Sequence, residues 1–97
     1  MEGIIVTMNE DQHRFETKIG DDFGYIDYRW YKGVLAFMHT FVPEAGRGKR
    51  YSAELANFAL EYAKGKNLKI IVYCPFVAKY IKQHPEYEFL IDKQSNR

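Results

Sequence analysis

The 97-residue sequence lacks features that define several classes of protein. It has a single cysteine, so no disulfide can form within the chain, which is typical of a reducing compartment. No apolar run approaches the roughly 18 residues of a membrane span. The first residues, MEGIIVTMNEDQH, hold only a short apolar run between acidic side chains, so we expect no signal peptide. We therefore expect a cytoplasmic protein with no membrane partner.

An excess of charge of one sign is also lacking. Fourteen Lys and Arg side chains against thirteen Asp and Glu give a formal net charge of +1, so there is no basic field to hold nucleic acid. Aromatic residues of the predicted third strand could stack on bases, line an acceptor groove or pack as core and cross-strand pairs: these are Tyr25, Tyr28, Trp30 and Tyr31. Acidic neighbours at Asp21, Asp22 and Asp27 weigh against nucleic acid.

The first half of the sequence alternates between apolar and polar residues, which predicts strands. We predict strands at residues 3–8, 13–19, 23–31 and 34–42, arranged as an antiparallel meander. Lys32 and Gly33 predict a tight hairpin turn. The strand at 34–42 is the most apolar, which predicts an interior position, and Pro43 ends it.

The second half changes to helical spacing. We predict helices at residues 51–66 and 76–83 with a short apolar strand at 68–73 between them, and residues 87–91 as a last short strand or an apolar lid. A helix between two strands implies a β-α-β crossover and a parallel pair. The prediction is one α+β domain over residues 1–97, with a polar tail from about residue 92, a mixed sheet of about five strands, and a crevice at the β-α-β junction.

The segment FVPEAGRGKRYSAEL joins the interior strand to the first helix. Unpaired N–H groups at a helix N-terminus bind anions, and glycines let a phosphate approach the backbone closely. Cations of this segment add positive charge, namely Arg47, Lys49 and Arg50. The spacing fits neither a Walker loop nor a dinucleotide fingerprint. The junction is either a local phosphate site or an ordinary solvated turn.

Two further residues could carry chemistry. Cys74 follows an apolar strand and begins a helix, where a thiolate nucleophile is favoured, although a lone cysteine is more often a small buried hydrophobe. His39 lies in the interior strand, and we expect it on the same face as Phe37 and Phe41. It is a base or a hydrogen-bond partner beside Cys74, or a satisfied core histidine. The histidines and the cysteine lack metal-ligand spacing, so we expect no metal.

The junction resembles the pyrophosphate loop of the GNAT superfamily of acyl-CoA N-acetyltransferases. That motif is Gln or Arg, two residues, Gly, one residue, and Gly or Ala. Arg47 takes the first place and Gly48 follows it, whereas Arg50 stands where the family usually has glycine, and Ser52 takes the last place. The segments CPFV, starting at Cys74, and HPEY, ending at Tyr87, resemble a subgroup of small single-domain GNAT proteins. The resemblance covers roughly residues 25–90.

This resemblance implies a minimal GNAT-like fold and an acetyl-CoA-dependent N-acetyltransferase that acts on an amine. It implies His39 as base and Cys74 as proton donor or acetyl carrier. It also implies a set of residues that contact coenzyme A: Phe41, Val42, Arg47, Gly48, Lys49, Arg50, Tyr51, Ser52 and Lys79. For Lys79, a solvated helix face is the alternative. A second interpretation is an acetyl-CoA-binding protein with little or no transferase activity, acetylated on Cys74. The acceptor and the oligomeric state stay open.

Overall fold

The structure is a computed structural model that describes residues 4–93. In chain order its elements are β1 (Thr7–Asn9), β2 (Arg14–Ile19), β3 (Asp22–Tyr31), β4 (Val34–Phe41), a 3-10 turn (Glu44–Gly46), α1 (Tyr51–Gly65), β5 (Ile70–Val72), α2 (Pro75–Gln83) and a 3-10 helix (Pro85–Leu90). This succession confirms the predicted α+β class.

The five strands form one sheet in the order β1-β2-β3-β4-β5. The first four strands pair antiparallel, and β4 pairs with β5 in parallel after the crossover through α1. Lys32 and Gly33 turn the chain between β3 and β4 with φ angles of 52° and 84°, the left-handed pair that a two-residue hairpin requires. The predicted meander and the predicted β-α-β step are both confirmed.

The core lies between one face of the sheet and the two helices. α1 packs mainly on β2 and β3, and α2 packs on β4 and β5. Fully buried side chains from both layers form one cluster, which includes Phe15, Ile26, Phe37, Leu55 and Val77. Burial of this apolar surface is the main stabilising contribution to the fold.

The other face of the sheet carries polar and half-buried side chains, and we call it the open face. Strand register places its members side by side across β2, β3 and β4: Arg14, Glu16, Tyr25, Asp27, His39 and Phe41. Arg14 stacks its guanidinium over the Tyr25 ring at 4.5 Å, and Tyr25 in turn packs on Phe41 at 5.5 Å between ring centroids. Neither α1 nor α2 covers this face, because both helices belong to the core on the opposite side.

A bulge in β4 divides that strand into two halves. Tyr28 lies opposite Phe37 and Asp27 lies opposite His39, so Met38 is an extra residue with no partner on β3. An extra residue reverses the alternation of side chains beyond it. Phe37 is therefore buried in the core, whereas His39 lies on the open face with a side chain that is 78% exposed. The prediction that His39 shares a face with Phe37 is wrong for this reason.

The ends of the chain also depart from prediction. The first strand was predicted at residues 3–8 but runs from Thr7 to Asn9, and Gly3 lies outside the described residues. Residues 85–90 form a 3-10 helix, so of the two alternatives for residues 87–91 the strand is wrong over 87–90. Tyr87 and Leu90 bury their side chains at the three-residue spacing of that helix. A single parallel bridge joins Ile91 to Ile70. Of the predicted polar tail, residues 94–97 lie outside the described part of the chain.

Candidate active site

Strands β4 and β5 part beyond Phe37. β5 pairs only with residues 35–37 of β4, and the Phe37 carbonyl then accepts hydrogen bonds from the N–H groups of Tyr73, at 3.0 Å, and Cys74, at 3.2 Å. From there the chain turns away into α2. Residues 38–41 of β4 thus have no β5 partner, which leaves a gap in the sheet that we call the β4–β5 gap.

Backbone groups of β4 are available in this gap. The His39 N–H points to β3, where it donates to Oδ1 of Asp27 at 2.8 Å. The N–H and C=O groups of one strand residue point to one edge, and those of the next residue point to the other edge. The N–H and C=O groups of Thr40 therefore point into the β4–β5 gap. An extended ligand can therefore pair with this half of β4 as a missing strand would.

Cys74 faces the same region from the start of α2. Its side chain is only 2% exposed, and its Sγ lies 2.9 Å from Oγ1 of Thr40, so the thiol and the hydroxyl are hydrogen-bonded. Cys74 occupies the N-cap position of α2, with Pro75 as the first helical residue, where its missing N–H costs nothing. The reversal of side chains at the Met38 bulge is what turns Thr40 toward Cys74.

A groove of about 310 Å³ continues from the gap to the start of α1. Its lining residues come from the end of β4, the following loop and the first turns of both helices: Thr40, Phe41, Val42, Arg47, Ser52 and Phe76. Four of these residues were predicted to contact coenzyme A. Thr40 and Phe76 were missed, although Phe76 lies in the CPFV segment that carried the resemblance.

The loop that enters α1 leaves room for an anion. Gly48 has a φ of 78°, and an added Cβ there would meet nothing within 4 Å. No side chain caps the N-terminus of α1, and unpaired N–H groups at a helix start attract negative charge. Arg47 is held across the loop by a hydrogen bond of 3.1 Å from its Nε to the carbonyl oxygen of Val42.

The other predicted contact residues lie around the groove without lining it. Arg50 points to Glu54 along the outside of α1, with Nη2 2.8 Å from the carboxylate. Lys49 is exposed in the loop, and Lys79 is exposed on α2. Tyr51 is half-buried and packs close to Gly46.

His39 lies across the sheet from the thiol. Cys74 belongs to the core cluster, whereas His39 is on the open face with its Nδ1 3.7 Å from Oδ1 of Asp27. The structure therefore does not bring His39 and Cys74 together on one face. It places them on either side of β4, at the level where the β4–β5 gap begins.

The HPEY segment packs against both helices. The Tyr87 hydroxyl donates to Oε2 of Glu61 on α1 at 2.5 Å and accepts from Nδ2 of Asn57 at 3.2 Å. Burial, followed by this hydrogen bond, raises the pKa of Tyr87 well above its usual range. The His84 ring stacks on Tyr80 of α2, with centroids 4.2 Å apart. This segment therefore ties the last 3-10 helix to both α1 and α2.

Three further findings concern ligands and membranes. Within residues 4–93, no group of three or more His, Cys, Asp or Glu side chains is arranged to hold a metal ion. A cavity of about 500 Å³ lies along β3 beside the turn before β2, and its lining includes His13, Asp27 and Trp30. No helix among the described residues has the length and apolar character that crossing a membrane demands.

Comparison with known proteins agrees with this geometry. Protein NATD1 of Gallus gallus and that of Mus musculus are each 34% identical to the chain over 59 residues, which is 61% of this chain and 54% of the relative. Protein NATD1 of Homo sapiens is 34% identical over 59 residues, 61% of this chain and 52% of the relative. The matched part thus spans about half the length of these relatives. A family model described as GCN5-related N-acetyl-transferase matches residues 14–90. Because that match covers most of the sequence, the chain belongs to the GCN5-related N-acetyltransferase family.

Proposed function

We propose that this protein is an N-acetyltransferase that moves the acetyl group of acetyl-CoA directly to an amine. The observation that carries the proposal is the β4–β5 gap, because it joins the groove at the start of α1 to the open face. A thioester bound in the groove would present its carbonyl in the gap, and an amine would reach it from the open face.

Donor binding follows from the groove and its loop. The pyrophosphate of coenzyme A would lie at the uncapped N-terminus of α1, close to Gly48 and the Arg47 guanidinium. Backbone approach and charge would both favour it there. The pantetheine arm would run along residues 40–42 and pair with their backbone groups, beside the Phe76 ring.

Acceptor activation is assigned to His39. Its exposed imidazole stands on the open face, and an alkylammonium must lose a proton before its nitrogen can attack. His39 would take that proton, directly or through one water molecule. The nitrogen would then form a bond to the thioester carbon, whose developing oxyanion a β4 backbone N–H in the gap would stabilise.

Departure of coenzyme A is assigned to the Thr40–Cys74 pair. When the carbon–sulfur bond breaks, the coenzyme A thiolate needs a proton, and the amide nitrogen loses one. Cys74 and Thr40 form a hydrogen-bonded pair beside the groove, so a proton can reach the leaving sulfur along it. The products are an acetamide and coenzyme A thiol.

Two measurements test the proposal. Acetyl-CoA at 100 times its dissociation constant should stabilise the fold by about 2.7 kcal/mol, which raises the melting temperature. Release of free thiol from acetyl-CoA should then depend on an amine in a panel of N-terminal peptides, lysine peptides, polyamines and small amines. The absence of stabilisation at millimolar acetyl-CoA would contradict donor binding, and stabilisation without amine-dependent thiol release would contradict transfer.

A second candidate is an acetyl-CoA-binding protein that keeps the acetyl group on Cys74. The contact between Sγ and a residue that lines the groove favours it, since the thiol lies next to the donor path. Here the thiol would attack the thioester, and coenzyme A would leave. Intact-mass analysis after mixing with acetyl-CoA separates the two, because only this candidate gives a lasting gain of one acetyl group that Cys74→Ala abolishes.

A further inference from the structure

We infer that Asp27 is a positioning residue for the transfer reaction: it fixes the Met38 bulge through the His39 backbone and stabilises the charge that His39 gains. The inference rests on the proposed function, in which His39 takes a proton from the acceptor. Asp27 stood out in the sequence only as one of the acids near the aromatic strand. The structure gives it two contacts with one residue.

The first contact is with the backbone. Oδ1 of Asp27 accepts the His39 N–H at 2.8 Å, directly after the unpaired Met38. A bulge disturbs the ladder of backbone hydrogen bonds, and a side-chain acceptor can satisfy the amide that the ladder leaves. Asp27 therefore holds β4 in the shape that turns His39 outward and Thr40 toward Cys74.

The second contact is electrostatic. The same Oδ1 lies 3.7 Å from Nδ1 of His39, which is beyond a hydrogen bond but close enough for a direct charge interaction. Nδ1 faces the carboxylate, so Nε2 is the nitrogen that is turned to a substrate. The backbone contact anchors the carboxylate, which keeps it within reach of the ring.

Neighbouring charges leave Asp27 available for this role. Arg14 is its cross-strand partner on β2 and would be the obvious cation to neutralise it. Its Nε instead donates to Oε1 of Glu16 at 2.8 Å, and its guanidinium stacks over Tyr25. Arg29, two residues along β3 on the same face, is exposed to solvent. Among the described contacts of the Asp27 carboxylate, the ionic one is with His39.

In the reaction, the ammonium proton passes to Nε2 of His39 and leaves an imidazolium with the Asp27 carboxylate beside it. The free amine nitrogen then bonds to the thioester carbon, the carbon–sulfur bond breaks, and the nitrogen loses its second proton to water. The departing thiolate takes a proton from the Thr40–Cys74 pair, which water protonates again, and the imidazolium returns its proton to water. Asp27 gains and loses no proton. It favours the charged form of the ring during the step in which that charge exists, and it also attracts the cationic acceptor to the open face.

The test is a double-mutant cycle on turnover. Asp27→Asn keeps an oxygen that can accept the His39 N–H and removes the charge, so we expect thermal stabilisation by acetyl-CoA to stay at the wild-type value. Its kcat should fall about fivefold, because an exposed ion pair is worth up to about 1 kcal/mol. In the His39→Ala background, the same change should have no further effect on kcat, because the ring it acts on is gone. Asp21→Asn, which removes the same kind of charge from the exposed turn before β3, is the matched control and should leave kcat unchanged.

The outcomes are distinct. Amine-dependent turnover in the wild type together with an unchanged kcat in Asp27→Asn overturns this inference and leaves the proposed function standing. Equal losses from Asp27→Asn with and without His39 overturn it as well, since they indicate a structural role alone. No turnover in the wild type with any amine overturns the proposed function, and this inference with it.

Discussion

The Sγ atom of Cys74 lies 2.9 Å from Oγ1 of Thr40, which joins the start of α2 to the half of β4 that β5 does not pair. Two groups able to carry a proton thus meet where the sheet opens. The relationship depends on the bulge at Met38, two residues earlier in β4. Thr40 faces the thiol because this extra residue reverses the alternation of side chains.

The hydroxyl of Thr40 is the first point to test. Thr40→Val removes the hydroxyl and keeps the shape, so we expect amine-dependent thiol release to fall by about 10²-fold or more, as general acid–base contributions are roughly 10²–10⁴-fold. Thr40→Ser keeps the hydroxyl and is the matched control, with turnover close to wild type. Equal turnover of the two variants would contradict a proton path through this pair.

Gly48 is tested against a glycine of similar backbone geometry. Gly48 and Gly20 have φ angles of 78° and 64°, and an added Cβ at either position meets nothing within 4 Å. Gly48→Ala and Gly20→Ala should therefore each lower the free energy of unfolding by about 1–2 kcal/mol through backbone strain. Only Gly48→Ala should also lose stabilisation by acetyl-CoA, measured as the shift in melting temperature. A similar loss in both variants would argue against a phosphate at this loop.

The two arginines of the loop should differ in importance. Arg47 lines the groove, whereas the Arg50 guanidinium is engaged by Glu54 on the outside of α1. Arg47→Ala should weaken acetyl-CoA binding strongly, and added salt should reduce the difference from wild type. Arg50→Ala should change binding less and should cost no more than about 0.5 kcal/mol of stability, as expected for an exposed helical pair. Calorimetric titration of both variants with acetyl-CoA decides between them, and the opposite order would contradict the groove assignment.

Tyr87 gives a prediction for stability. Tyr87→Phe removes a partly buried hydrogen bond to the Glu61 carboxylate, and we expect a loss of about 1.5 kcal/mol in the free energy of unfolding at neutral pH. Tyr31→Phe changes an exposed tyrosine and should have little effect. Urea unfolding of the three proteins provides the measurement, and equal stability of the two variants would contradict the clamp between α1 and the last 3-10 helix.

The same tyrosine predicts a loss of stability in alkali. Its pKa is raised in the folded state by burial and by Glu61, so the fold holds this proton more tightly than the unfolded chain does. The contribution is complete below the unfolded-state pKa of about 10 and declines above it, by about 1.4 kcal/mol per pH unit. Burial raises the pKa of Tyr28 too, but Tyr28 is present in both the wild type and Tyr87→Phe, so it does not change the difference in stability between them. The difference between wild type and Tyr87→Phe should therefore narrow from pH 9 to pH 11, and a constant difference would contradict the titration.

Patterns local to the sequence predicted much of this molecule. Alternation predicted β2, β3 and β4, and the Lys32–Gly33 pair predicted the hairpin between β3 and β4. Both signals are local, because strand period and turn geometry depend on neighbouring residues. The loop motif predicted Arg47 and Ser52 as contacts of one ligand, and both residues line the same groove. The face of His39 was not predictable in this way, because a bulge depends on how two strands pair. The partners of Tyr87 were equally hidden, since Glu61 and Asn57 are 26 and 30 residues away in sequence.

The bulge separates the place of a residue in the sequence from the face on which its side chain lies. Met38 is the extra residue of β4, so its deletion would leave Phe37 and His39 as neighbours in a regular ladder, still opposite Tyr28 and Asp27. His39 would then stay on the open face and Thr40 would stay toward Cys74. A change that moved the bulge past His39 would instead turn His39 to the core. A relative with one residue fewer in this strand can therefore keep the same base, provided that the missing residue is the one that has no partner.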